Sequence, residues 1–157
     1  MGDGVIQYKN GTPVQSYNEK NAFKETAGGY GSGYCYIDGL AFDKNGNLWM
    51  TSSEVNHAVL VLDKAGAWHR LDIEQLRGVY TINDILITST NDKWIYVPRN
   101  TPKLVMIPNS ESLDEVSSYE FTTLIDTDGK ELTPSNYTCV AEDKDGYIWV
   151  GTNRGAV

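Results

Sequence analysis

Two acidic loops carry the residues best suited to chemistry. Asp143-Lys144-Asp145-Gly146 and Asp126-Thr127-Asp128-Gly129-Lys130-Glu131 place carboxylates close together, as a calcium ion requires. A calcium loop of the EF-hand type also needs a further acidic or amide ligand before its glycine and a bidentate glutamate at its end. Neither loop has that set. Asp followed by Gly also builds tight hairpin turns, and the residues favour this reading. The alternating glycines of 28–34, "GGYGSGY", resemble a phosphate cradle, but such a cradle sits between a strand and a helix. The strand-like "CYIDGLAF" follows here instead, which suits a loop leading into a sheet. His57 and His69 are the only histidines. They have no nearby Cys or His in sequence, and no Gly-x-Ser-x-Gly elbow accompanies them. A centre assembled from distant residues would leave no such trace. Tyr30, Tyr34, Tyr36 and Trp68 are the candidate ligand-binding residues, because loop aromatics stack on sugar rings. Aromatics also pack between structural elements, and packing is the favoured reading. No catalytic residue, cofactor or metal set is assigned.

These side chains need elements to position them, and composition bounds what those can be. A chain of 157 residues, 40% hydrophobic and 22% charged, is long enough for one domain with a core. The net charge of −8 argues against nucleic acid as a partner. No apolar run approaches the ~18 residues of a membrane helix. "MGDGVIQYKNG" has neither the basic nor the apolar region of a signal peptide, and a segment from within a longer protein would look the same. Cys35 and Cys139 lie too far apart for a metal motif. They read as small apolar residues on strands, and whether they pair stays open.

Helical periodicity is confined to short stretches at 16–23, 71–77 and 110–116. Ser16 with Glu19, and Ser112 with Glu115, have capping-box spacing. Elsewhere, short β-branched and aromatic runs alternate with Asn-Gly, Asp-Gly and Lys-Asn-Gly turns. Such turns need residues that accept positive φ, which makes the chain a series of antiparallel hairpins.

One hairpin recurs. Ala41, Asp43, Lys44, Gly46 and Trp49 reappear as Ala141, Asp143, Lys144, Gly146 and Trp149. A degenerate copy lies in "LITSTNDKWIYV" (86–97), where alignment on its end sets Tyr96 opposite Trp49 and Trp149. Units of roughly 40–50 residues with about four short strands each predict the blades of a β-propeller. In the first whole blade the strands, a to d, are 39–42, 47–52, 58–63 and 68–71. In the second they are 84–88, 94–97, 104–108 and 119–124. Residues 1–37 supply strands c and d of a preceding blade and a connecting loop. The whole blades span 38–80 and 81–124, and 125–157 holds a connecting hairpin and strands a and b of a following blade. The expectation is an all-β, partial propeller domain of about three four-stranded blades, half plus two plus half, fewer than the roughly four to eight that close a ring. It reads as a piece of a larger propeller. A blade is covered on both faces, so its inner strands should be apolar on both sides. Trp149 is expected to pack on a neighbouring blade, and open blade edges make self-association plausible.

"AEDKDGYIWVGTNRG" (141–155) resembles the repeat of the two-component regulator propeller family, an Asp-x-x-Gly-x-[Ile/Leu]-Trp-[Ile/Val]-Gly-Thr-x-x-Gly hairpin. Asp143, Gly146, Ile148, Trp149, Val150, Gly151, Thr152 and Gly155 carry the match. "FDKNGNLWMTS" is a looser copy without the Gly-Thr pair. The resemblance implies a non-catalytic binding or scaffold propeller in a periplasmic or surface protein. The less regular blades look more like the surface propeller protein of type IX secretion. The alternative is the carbohydrate-sensing region of a hybrid histidine kinase. The implied partners are a carbohydrate or lipopolysaccharide ligand, or a protein of the secretion machinery.

Overall fold

The structure is a computed structural model and describes residues 4–23 and 34–156. The chain is all-β, and among the described residues the helical content is one 3₁₀ turn, Glu74–Leu76. The stretch at 16–23 closes instead as a turn, in which the amides of Asn21, Ala22 and Phe23 converge on the Asn18 carbonyl. No helix of the described residues is long and apolar enough to cross a membrane.

Strands pair in chain order. β1 (Val5–Lys9) and β2 (Thr12–Tyr17) form a hairpin. β3 (Ile37–Phe42), β4 (Leu48–Ser52), β5 (Val59–Leu62) and β6 (Trp68–Leu71) form the first four-stranded meander. β7 (Ile85–Ile87), β8 (Lys93–Val97), β9 (Lys103–Ile107) and β10 (Tyr119–Phe121) form the second. β11 (Leu124–Ile125) and β12 (Glu131–Leu132) make a small connecting hairpin. β13 (Tyr137–Glu142), β14 (Ile148–Thr152) and β15 (Gly155–Ala156) form a three-stranded sheet. The fourth strand of the second blade is therefore shorter than 119–124, because Leu124 turns away into the β11–β12 hairpin.

The acidic loops are turns of one design. The Asp43 amide donates to the Asn47 carbonyl, and the Gly46 amide to the Asp43 carbonyl. Asp63 to Ala67, Asp126 to Lys130 and Asp143 to Tyr147 repeat both bonds. In each, one carboxylate oxygen accepts two further backbone amides, as Asp143 Oδ1 does from Asp145 and Tyr147. The left-handed position falls to Gly46, Gly66, Gly129 and Gly146, which have no Cβ to oppose it. Backbone amides thus engage one carboxylate oxygen of Asp126 and of Asp143, the two loops whose carboxylates resemble a calcium site in sequence.

The core lies in the seams between sheets. One apolar cluster joins β3–β6 to β7–β10 around Trp49, Val61, Ile85 and Ile107. A second joins β1–β2 to the opposite face of β3–β6 through Phe23, Cys35, Met50 and Leu60. A third joins β7–β10 to β13–β14 through Tyr96, Leu104, Tyr137 and Val150. β3 packs beside β7, and β13 beside β8. This is blade stacking, and it explains why β4 and β8 are covered on both faces.

Candidate functional site

The seam between the two whole blades is built from the turn upward. Asp43 Oδ1 accepts the Asn45 and Asn47 amides at 2.9 and 2.8 Å. Its other oxygen accepts Asn47 Nδ2 at 2.8 Å and Trp49 Nε1 at 3.0 Å. The turn that ends one strand therefore orients the indole on the next. Burial works against the Asp43 charge, but the bonds from Trp49 and Asn47 outweigh it and hold the carboxyl below its usual range. Trp49 is 1% exposed, and Lys93 Nζ of the next blade sits 4.5 Å from its ring centroid. Burial pulls the Lys93 ammonium below its ordinary value, partly offset by Asp43 and Asp92.

The second blade has the same part at a different residue. Thr88 replaces the turn aspartate: its amide donates to the Asp92 carbonyl, and its hydroxyl accepts the Asp92 amide at 3.0 Å. Asn91 takes the left-handed position with φ 70°. Trp94 then pairs with Leu86 as Trp49 pairs with Ala41 and Trp149 with Ala141. The counterpart of Trp49 is therefore Trp94, not Tyr96. End-alignment slipped by two residues because this turn lacks the Asp-x-x-Gly anchor, and a slip of two keeps a side chain on the same face. Tyr96 sits one step along that face and donates to the Thr138 carbonyl at 3.1 Å. Trp94 packs against the cluster that joins the second blade to the last sheet, with the Phe121 ring stacked on it at 5.6 Å.

In the last sheet Asp143 Oδ2 accepts Trp149 Nε1 at 2.9 Å, as Asp43 does from Trp49. The Trp149 bond leads the causes that hold this carboxyl below its usual range. No blade stands over this indole among the described residues, and Trp149 is 52% exposed there.

A polar groove of about 690 Å³ runs beside β6, between Trp68, His69, Arg70 and Asp72 on one wall and 113–117 on the other. His69 Nε2 lies 3.1 Å from Asp63 Oδ2, and His69 Nδ1 lies 3.9 Å from Asp114 Oδ1. Hydrogen bonds from His69 and the Ala67 amide hold Asp63 below its usual range. Arg70 donates to the Ala22 carbonyl, and its Nε has no protein partner. Donors and acceptors on one wall suit a hydroxyl-bearing ligand.

Of the aromatic candidates, Trp68 lines this groove, and its ring makes T-shaped contacts with Tyr17 and Phe23 at 5.4 Å each. Tyr34 and Tyr36 lie 5.5 Å apart at a 55° tilt, flanking buried Cys35. Tyr30 falls outside the described residues. Cys35 and Cys139 are unpaired, one buried and one exposed. No His, Cys, Asp and Glu group suited to a metal ion occurs among the described residues.

Sequence reasoning missed Lys93 and Gly39. A lone Lys in an apolar strand carries no pattern. A Cβ on Gly39 would lie 2.8 Å from the Ile85 nitrogen of the next blade, a contact invisible until blades stack.

The two component regulator propeller family model matches residues 131–154. Among curated proteins, none matches the chain in sequence. Among solved structures, PorZ, a surface component of the type IX secretion system of Porphyromonas gingivalis, superposes with a TM-score of 0.84 and 20% identity. That match covers 99% of this chain and 22% of PorZ. The extracellular domain of a Bacteroides thetaiotaomicron protein described as a hybrid two component system gives 0.61 at 20% identity, over 96% of this chain and 18% of that one. Virginiamycin B lyase of Staphylococcus aureus gives 0.56 at 17% identity, over 75% and 35%. The chain thus spans about a fifth of the first structure's length, and at these identities the likeness establishes the propeller fold.

Proposed function

We propose that the chain is a non-catalytic binding and scaffold segment of a bacterial envelope or surface protein linked to type IX secretion. The observation that carries this reading is the superposition on PorZ along 99% of the chain at a TM-score of 0.84. The use of the carboxylates supports the non-catalytic part. Asp43 and Asp143 clamp tryptophans, Asp63 holds His69, and Asp72 pairs with Arg77 at 2.5 Å. Carboxylates that accept such bonds are stabilised as anions and make poor proton donors near neutral pH.

A second reading, a carbohydrate-sensing propeller of a hybrid histidine kinase, draws on the family match at 131–154 and on the groove beside β6. One experiment separates the two. The encoding gene is deleted in its own bacterium, and secreted protein and transcripts are both measured. The first reading expects exported proteins to accumulate inside the cell. Unchanged export, with loss of carbohydrate-induced transcription, would overturn it and leave the second.

A further inference from the structure

β6 is the outermost strand of the first whole blade, and it pairs with β5 alone. Both faces of its sheet are covered within the chain, by β1–β2 on one side and β7–β10 on the other. Its unpaired edge is therefore the outer rim of a complete blade. Register shows which groups lie on that rim. The Asp63 amide donates to the Ala67 carbonyl, so these two residues form a hydrogen-bonded pair. β5 and β6 then run from Leu62–Trp68 to Val59–Leu71 without a shift. Bonded and non-bonded pairs alternate in an antiparallel ladder. His69 and Leu71 thus bond to β5, while the N–H and C=O of Trp68 and Arg70 point outward. No backbone group bonds to them there among the described residues. The polar groove of about 690 Å³ runs along this edge, and residues 113–117 of the second whole blade form its other wall. That wall is anchored: Leu113 and Val116 pack on the seam cluster, and Ser118 Oγ donates to Gln75 Oε1 at 2.9 Å. His69 Nδ1 and Asp114 Oδ1, on opposite walls, stay 3.9 Å apart, too far for a hydrogen bond. Asp114 and Glu115 are exposed and pair with no Lys or Arg among the described residues.

We propose that this groove takes an extended segment of a partner protein, which adds a strand to β6 and sets Lys or Arg side chains against Asp114 and Glu115. The outward groups of Trp68 and Arg70 supply the backbone bonds of strand addition, and the acidic wall supplies the side-chain preference. The groove follows β6 as far as Asp72. At a strand rise of ~3.3 Å that wall is about 16 Å long, room for about five residues of the partner. Side chains alternate along a strand, so every second partner residue faces 113–117. The opposite wall offers no competing cation, because Arg70 donates to the Ala22 carbonyl. Nor is Asp72 open to the partner, since Arg77 holds it. The net charge of −8 also favours a basic segment. This inference rests on the reading of the chain as a binding segment and names the kind of partner bound.

Amide hydrogen exchange on the whole chain, read residue by residue by NMR, tests this. The probe is a pool of peptides of about nine residues, with Lys at every second position and mixed residues between. In the free chain the Trp68 and Arg70 amides should exchange fast, and the His69 and Leu71 amides slowly. With the pool at about 1 mM, exchange at Trp68 and Arg70 should slow about tenfold or more. Methylating the peptide backbone nitrogens should abolish the effect. Replacing peptide Lys by Glu should weaken binding about tenfold or more, and so should raising salt from about 0.05 to 0.5 M. The double variant Asp114→Lys, Glu115→Lys should lose the same preference with unchanged melting, because both side chains are exposed. Trp68 and Arg70 amides that are already slow in the free chain overturn the proposal. So does a pool that slows neither, or acidic peptides that slow them equally. Slowing by maltoheptaose and not by the peptides would make this a carbohydrate groove, and overturns it too. The gene deletion reads the secretion link separately, so a failed peptide test leaves that link standing.

Discussion

Lys93 Nζ lies 4.5 Å from the centroid of the Trp49 ring, across the seam between the two whole blades. The ammonium is on a side chain only 2% exposed, within reach of the charges of Asp43 and Asp92. A cation over an indole face gains about 0.5–2 kcal/mol, while removal from water costs it. Desolvation is the larger influence on Lys93.

Replacing Lys93 by Met keeps the contact with Trp49 and removes the buried charge. The expected change in unfolding free energy is within ~1 kcal/mol of zero or stabilising. Lys93→Ala should lose about 2 kcal/mol through lost packing. The pH dependence carries the sign. The folded-state value of Lys93 lies below its unfolded one, so between the two the unfolded chain holds more protons and stability rises with pH. Denaturant unfolding at rising alkaline pH should show that increment in the wild type and not in Lys93→Met.

Asp43→Ala should cost about 2–4 kcal/mol, because it leaves the buried Trp49 Nε1 and Asn47 Nδ2 without their acceptor. Asp143→Ala breaks the same bond to a half-exposed indole that water can satisfy, so its loss is smaller. Both carboxyls sit below their ordinary range in the folded chain. Their contribution is complete above the unfolded value and is lost as pH falls through the folded one. Urea unfolding between pH 7 and about pH 2 should show Asp43→Asn flattening the acid limb.

Gly39→Ala places a Cβ 2.8 Å from the Ile85 nitrogen and 3.0 Å from the Asp84 carbonyl carbon. Both are backbone atoms of the adjoining blade, so β3 and β7 must separate. A loss of about 1–3 kcal/mol is expected, read as a lower melting temperature. Gly66→Ala, at a turn with open space around it but φ 90°, tests backbone strain alone and should cost about 1–2 kcal/mol.

The two thiols should differ. Cys139 is exposed and should react at once with a disulfide reagent such as DTNB. Cys35 is buried, and burial pushes its thiol up from the ordinary value. It should react only on unfolding. Thiol titration before and after denaturant distinguishes one accessible group from two.

Much of this was legible in the residues. The Asp-x-x-Gly turns at Asp43 and Asp143 fix hairpin register through local bonds, since both partners lie within a few residues. The blade period followed from those turns. The third tryptophan was not legible, because Thr88 and Asn91 form the same turn with different atoms. Gly39 and Lys93 were hidden for another reason: their roles are contacts with a different blade.

Asp43 with Trp49 and Asp143 with Trp149 are alike in residue type, spacing and hydrogen bond. Sequence alone determined that likeness, because turn chemistry and strand alternation act over short stretches of chain. Tertiary structure decided that Trp49 is 1% exposed and Trp149 52%. Burial depends on whether a blade stands opposite, and that is a property of stacking between distant segments.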